Sequence, residues 1–423
     1  MTARTEVVVT GMGVVCPTGV GVEALGEALH QRRSAIGAIT LCDLGDTPVH
    51  LAGEVHGFEP KNLVRPKKSL KIMSRSMQFG VAAAIEAWES ARLADPDVDR
   101  DRVGVVFGAD TICTPIDEAV FSYLGTIDDG DCDLSRWVAR AHDTSNPLGM
   151  LKTLPNLVAC HISIALDARG PNNTFHQGDN SSLLAIAEGV RLIERGTADC
   201  VIVGGASSLM DAYDWARSLV LDELSPSATP GTSPRPFDAT RDGQVRGEGA
   251  GALVLESRTH AEARGAAIIA RLRGYGAAFC PVANRADIAA SPGQGMVLAM
   301  NQALRDAGLG PGDIGHVSAH GLGTLDGDRQ EAAAIGRVFT DVPVTAPGSY
   351  FGNLAAAAGA VETIASVLAI RRGEVWVTLN HHRRDPTCPI RVVHEAPLTN
   401  TAPFALVANS TLCGQAAAIV VES

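Results

Sequence analysis

An α/β fold, with helices covering the faces of its sheets, is what this sequence predicts, and two observations carry the prediction. Short β-branched runs bounded by glycine recur along the chain, and stretches of helical length and periodicity lie between them. The composition agrees, with 46% hydrophobic residues and 44 glycines, much of the apolar content being Ala and Val in short runs ended by Gly or Pro. At 423 residues the chain exceeds one ordinary domain, yet suits two halves that share one buried core.

EVVVTGMGVV at 6–15 has no polar alternation and reads as a strand buried on both faces. RVGVVFGAD (102–110), DCVIVGGAS (199–207), GALVLES (251–257), GHVSAHG (315–321) and FALVANS (404–410) repeat that character. The helix candidates between them are 77–93, 182–196, 295–308 and 359–373, the last three closed by a terminal glycine. A division into 1–257 and 258–423 is expected, because a strand closes near Ser257 and the polar SRTHAEARG leads into AIIARLRGYG. No sequence repeat relates the two parts by eye. DELSPSATPGTSPRPFDATRDG at 222–243 is rich in Ser, Pro, Thr and Gly and is expected to be a long surface loop bordering a site. The acidic LGTIDDGDCDLSRW at 124–137 reads as a solvated excursion.

The formal net charge of -12 argues against a nucleic-acid partner, which would need a basic face. The basic segment KNLVRPKKSLKIMSR at 61–75 is read as a solvated face, with docking of an acidic carrier protein as the alternative. Nine cysteines stand without a CxxC pair or an even framework of spacings, which fits a reducing cytoplasm and no zinc site. No apolar run approaches the roughly 20 residues that span a bilayer, so no membrane association is expected. No cofactor is expected either.

Seven blocks stand in one order along the chain. They are VVVTGMGVVCPTG, LPNLVACHISIALDARGPN with ADCVIVGGAS, RPFDATRDGQVRGEGAGALVLE, SAHGLGTLDGDRQEAAAI, FGNLAAAAGAVETIASVLA, VTLNHHRRDPTCPI and LVANS. Together they resemble the β-ketoacyl synthase family. The resemblance implies a duplicated, five-layered thiolase-like fold, a dimer, and an acyl carrier protein bearing its acyl chain on phosphopantetheine as partner.

In that family a cysteine at a strand-to-helix turn accepts the acyl chain, the helix N-terminus favouring its thiolate. The corresponding stretch here is GPNNTFHQGDNSSLLAIAEG, which places Asp179 at that position and holds no cysteine. Asp179 is read either as a helix N-cap or as an acid–base group. The family's two histidines correspond to His320, retained in SAHGLGTLDGD, and to Asn353 in FGNLAAAAG, whose amide can donate a hydrogen bond but cannot titrate near neutrality. The family's lysine becomes Gly348, the gating aromatic becomes Cys413, and the acyl-pocket loop carries Gln244. Cys413 is read as a small buried residue and Glu331 as a structural partner in the core.

Condensation of the usual kind is therefore not expected, because a mixed anhydride on Asp179 would replace a thioester poorly. The first functional reading is a ketosynthase-like partner subunit of the chain-length-factor type, paired with an active ketosynthase in type II polyketide or fatty-acid-like assembly. The alternative is an enzyme that uses Asp179 and His320 as an acid–base pair on a carrier-bound acyl thioester, for dehydration, isomerisation, hydrolysis or cyclisation. Proximity of these two side chains favours the second reading.

Overall fold

The structure, a computed structural model, describes residues 4–93, 98–112, 126–128, 131–138, 148–281 and 293–423. Among the described residues, ten strands of the main sheet fall into two sets of five. The first comprises β1 (Val7–Cys16), β2 (Val103–Ala109), β3 (Asn172–Phe175), β4 (Cys200–Ser207) and β5 (Gly249–Ser257). They lie in the order β3-β2-β4-β5-β1; β2 runs parallel to β3 and β4, while β5 is antiparallel to β4 and β1.

The second set comprises β6 (Ala270–Phe279), β7 (His316–Ala319), β8 (Pro343–Thr345), β9 (Phe404–Ser410) and β10 (Gln415–Glu422). It repeats the order as β8-β7-β9-β10-β6, with the same parallel and antiparallel senses. Topology thus carries a repeat that the residues do not. The sets meet edge to edge where Val7–Val9 of β1 pairs with Ala270–Leu272 of β6.

Six of the described helices cover these sheets. Helices α1 (Arg75–Ser90) and α2 (Leu157–Leu166) cover the outer face of the first sheet. Helices α3 (Ser181–Glu194) and α6 (Ala358–Arg372) lie between the sheets, and α4 (Gln294–Ala307) and α5 (Leu325–Val338) cover the outer face of the second. The strands show why they are apolar throughout. On β2, Val105 and Phe107 pack outward against α1 and α2 while Val106 packs into the middle layer. On β9, Ala405 and Val407 face that middle layer, and Leu406 and Ala408 face α4 and α5. Period-two alternation therefore feeds two cores, not one core and solvent. Helix α6 is buried continuously from Ala358 through Val367, so it carries no amphipathic stripe. Helices α4 and α6 each end on a left-handed glycine, Gly308 and Gly373, at the predicted stops.

Two expectations need correction. The 222–243 segment is a surface loop only in part: Ser233, Phe237 and Asp238 are buried. The Phe237 amide donates to Asp328 at 2.7 Å, and Asp238 accepts from the His382 and Arg383 amides at 2.7 and 2.6 Å. The Pro-rich stretch is pinned because it walls the turn that carries His320. The predicted strand at 315–321 ends at Ala319, which frees that turn from the ladder. The acidic 124–137 excursion falls partly outside the described residues; within them Leu134 is exposed. Lys61, Arg65, Lys67, Lys68 and Lys71 of the basic segment are all exposed. Among the described residues no helix is long and apolar enough to cross a membrane.

Close approach of the layers depends on glycine at Gly205 of β4. A Cβ there would lie 2.2 Å from the Ala356 carbonyl oxygen and 2.9 Å from the Ser182 Cβ. Neither the β4 backbone nor the Ala356 turn can retreat without moving α3 and α6. Gly205→Ala is expected to destabilise the fold by about 1–3 kcal/mol, read as a lower midpoint in chemical denaturation; an unchanged midpoint would show that the layers yield.

Candidate active site

The duplicated topology brings two helix N-termini together. Helix α3 follows the third strand of the first set and α6 the third strand of the second, and the Ala360 amide donates to Ser182 Oγ at 3.0 Å across them. The positive ends of both macrodipoles meet there. At the entrance to α3, Gly178 takes a left-handed φ of 54° and a single turn, Gly178–Asn180, delivers Asp179. The residue that opens α3 is Asn180, and no side chain caps it. Asp179 therefore caps nothing, which corrects the helix-cap reading.

Its carboxylate faces His320. Asp179 Oδ2 lies 3.3 Å from His320 Nε2, at an angle too oblique for a well-formed hydrogen bond. On the other side of the ring, His320 Nδ1 lies 3.2 Å from Glu362 Oε1. Glu362 projects from the second turn of α6, and its other oxygen, Oε2, is buried without a partner. The His320 backbone is fixed as well: its amide and that of Gly321 donate to Glu331 Oε1 and Oε2, each at 2.8 Å. Glu331 is thus a backbone clamp, in keeping with its expected structural role.

Burial alone would lower the His320 pKa, but the flanking Asp179 and Glu362 carboxylates outweigh it and hold the pKa well above the usual imidazole value. This setting favours the protonated ring, flanked by Asp179 and Glu362. Burial raises the Glu331 carboxyl to about 7 against the pull of His320, and raises Asp328, which accepts from the Gly323 amide, to about 6.

A cavity of about 310 Å³ opens over this array, its lining including Asp110, Asp179, Gln244, Arg246, His320 and Asn353. Asn353 is committed to neighbours: its side-chain NH₂ donates to Gln244 Oε1 and its oxygen accepts from the Ala355 amide, both at 2.8 Å. Gln244 and Asn353 thus form one unit of the wall. Gly348 lies behind His320, beside a void of about 10 Å³ that Glu362 and Asn353 also line. Cys413 does not belong here. It is exposed in the turn between β9 and β10 and does not line the cavity, although its neighbours Leu412 and Gly414 do. The turn, closed by the Gly414 amide donating to the Thr411 carbonyl at 3.0 Å, directs its side chain outward.

Two residues were missed by sequence reasoning. Glu362 is the lone acid in the apolar run AAAAGAVETIASVLAI, and an isolated acid in a buried helix is a signal of its own. Asp110 directly follows β2, and no motif singles it out. Among the described residues no group of three or more His, Cys, Asp and Glu side chains is placed to hold a metal ion.

Family models match most of the chain: β-ketoacyl synthase, N-terminal domain, over residues 4–261, and β-ketoacyl synthase, C-terminal domain, over 269–382. The chain belongs to the β-ketoacyl synthase family. The fold is accordingly the thiolase-like ketosynthase fold, duplicated and five-layered. Curated relatives include the 3-oxoacyl-[acyl-carrier-protein] synthase 2 of Staphylococcus aureus, 32% identical over 397 residues and covering 93% of this chain and 92% of the relative. The Coxiella burnetii protein of the same name is 32% identical over 406 residues, covering 92% of each. Among solved structures, the ishigamide ketosynthase/chain length factor superposes with a TM-score of 0.87 at 29% identity over 100% of both chains. A β-ketoacyl synthase from Burkholderia phymatum gives a TM-score of 0.88 at 28% identity over 99% of both.

Because its folded-state pKa is raised, protonated His320 contributes stability that is fully present below the ordinary value of 6.5 and is lost as pH rises through the folded value. ¹⁵N NMR of labelled histidine is expected to find His320 still doubly protonated at a pH where an unperturbed imidazole has lost its proton. Asp179→Asn is expected to bring its titration down. A neutral ring at pH 7 in the wild type would contradict the array.

Proposed function

We propose that this ketosynthase-family protein acts on an acyl chain held by a carrier protein through acid–base chemistry at Asp179 and His320, without capturing the chain on a thiol. The observation that carries the reading is the 3.3 Å approach of the Asp179 carboxylate to the His320 imidazole at the head of α3. Among the described residues no hydrogen bond engages Asp179 Oδ1, and the side chain lines the cavity, so one oxygen is free for substrate. A carboxylate beside an imidazolium can take a proton from carbon and pass it on, whereas a carboxylate that attacked a thioester would form a labile anhydride. Asn353, tied to Gln244, is poorly placed to replace the family's second histidine.

The setting is fatty-acid or polyketide assembly in the cytoplasm, with an acyl carrier protein as partner and residues 1–257 and 258–423 as the two halves of the subunit. The exposed lysines and arginine of 61–75 offer a cationic face to such a carrier.

The chain-length-factor role stands as a second reading, favoured by the full-length likeness to the ishigamide ketosynthase/chain length factor. In it the protein pairs with an active ketosynthase as a heterodimer rather than with itself, and Gln244 and Asn353 shape the space for the partner's product.

Two measurements separate the readings. Carrier-bound acyl thioesters incubated with the purified protein, without any ketosynthase, are expected to change mass, and Asp179→Asn is expected to slow this by about 10²-fold or more. Full turnover by Asp179→Asn would sink the acid–base reading. No turnover alone, together with altered product length when Gln244→Leu is co-expressed with a ketosynthase, would establish the chain-length reading instead. In intact-protein mass spectra the wild type is expected to gain no stable acyl adduct, whereas Asp179→Cys, with a thiol at the head of α3, is expected to become alkylated by iodoacetamide at residue 179.

A further inference from the structure

Asp110 stands where β2 ends, on the cavity wall, and its Oδ2 accepts the Ala356 amide at 2.9 Å in the turn that opens α6. It thereby belongs to the head of α6 as Asp179 belongs to the head of α3. The two carboxyl groups reach the same cavity from different strand ends, within electrostatic range of each other. Burial first, and to a lesser degree the nearby Asp179 charge, raise the Asp110 pKa, while the Ala356 amide, the Ser207 hydroxyl and His176 oppose them. Nothing in the Asp179–His320–Glu362 array uses this second acid.

The cavity's chemistry also restricts its occupant. Besides the two aspartates it presents Gln244, Arg246 and Asn353, and the Arg246 guanidinium pairs with Asp222 at its edge. A saturated acyl chain would leave the hydrogen-bonding capacity that Gln244 and Arg246 do not spend on Asn353 and Asp222 facing hydrocarbon, at a cost of about 1–3 kcal/mol for each unsatisfied group. An oxygenated chain satisfies them.

We infer that Asp110 is the catalytic acid of this cavity, binding the C3 oxygen of a 3-hydroxyacyl thioester and protonating it as water leaves. The inference rests on the proposed acid–base reading of Asp179 and names its substrate class. In the step, Asp179 removes a proton from C2, the C2–H electron pair becomes the C2=C3 π bond, and the C3–O bond breaks. The departing oxygen takes the Asp110 proton and leaves as water, giving the enoyl thioester. Asp179 is then protonated and Asp110 ionised, and transfer of one proton between them through cavity water restores both. No oxidant, reductant or metal enters the balance.

The test uses the full chain with two probes, the pantetheine amide analogues of a short 3-hydroxyacyl chain and of its 3-deoxy counterpart, and with the 3-hydroxyacyl thioester itself. Calorimetry is expected to show the hydroxy analogue bound about tenfold or more tightly than the deoxy one, a difference that Asp110→Ala abolishes. Asp110→Asn keeps an acceptor for the Ala356 amide but has no acidic proton, so it is expected to retain part of the preference and to lose about 10²-fold in water loss from the thioester, followed by mass spectrometry. Equal binding of the two analogues by the wild type would overturn the substrate class. Undiminished dehydration by Asp110→Asn would overturn the acid. If instead Asp110→Asn fails and Asp179→Asn dehydrates normally, the acid stands and the Asp179 reading falls. An absence of dehydration in the wild type, with the analogue preference intact, would overturn proton delivery and leave Asp110 as a binding group. Should Asp110→Ala not fold, judged by its denaturation midpoint, Asp110→Asn carries the binding comparison.

Discussion

The site depends on one buried chain of charge, carboxylate to imidazolium to carboxylate, through Asp179, His320 and Glu362. Each member arrives from a different part of the duplicated fold: Asp179 from the head of α3, His320 from the turn after β7, and Glu362 from within α6. The chain therefore exists only where the two sheets and the middle helix layer are assembled in register. Everything close to it serves that registration, including the Glu331 clamp on the His320 backbone and the Ser182 contact between α3 and α6.

Such a chain is not explained by stability. Withdrawing charged groups from water costs several kcal/mol for each ion, and replacing a buried ionic cluster by packed apolar residues is often neutral or favourable. Glu362 Oε2 lacks a partner in the void beside Gly348. The resemblance places a lysine at residue 348, and the glycine there leaves His320 as the cation that answers Glu362. On that resemblance, the residues at 179 and 348 bear on the same side chain from two sides, one adding an acid and the other removing a base. Both favour a protonated imidazole.

The sequence made the strands and helices legible because two chemical patterns suffice for them: continuous apolar runs for β1, β2, β4 and β9, and glycine stops for α4 and α6. It made Asp179, His320, Gln244 and Asn353 legible through motif order. Cys413 was misplaced because motif position fixes the backbone but not side-chain direction, and the turn at Thr411–Gly414 points it to solvent. Phe237 and Asp238 were misread for a related reason: a loop composition signals irregular backbone, not exposure, and theirs is irregular and buried. Asp110 and Glu362 had no motif to announce them. Their meaning comes from contacts with Ala356 and His320 that lie 246 and 42 residues away in the chain.

The duplicated topology gives a reason for the scaffold's persistence that does not depend on a thiol. Two helix heads converging on one cavity form a polarised site, and the pairing of β1 with β6 fixes the distance between them. Whatever group occupies the head of α3 meets the same field and the same His320. A thiol there is drawn toward its thiolate and becomes a nucleophile. On the proposed reading, a carboxylate there meets a protonated imidazole and becomes an acid–base partner. The chemistry at residue 179 is then set by which side chain the turn delivers, while Gly205, Ser182 and Ala356 keep the turn itself in place.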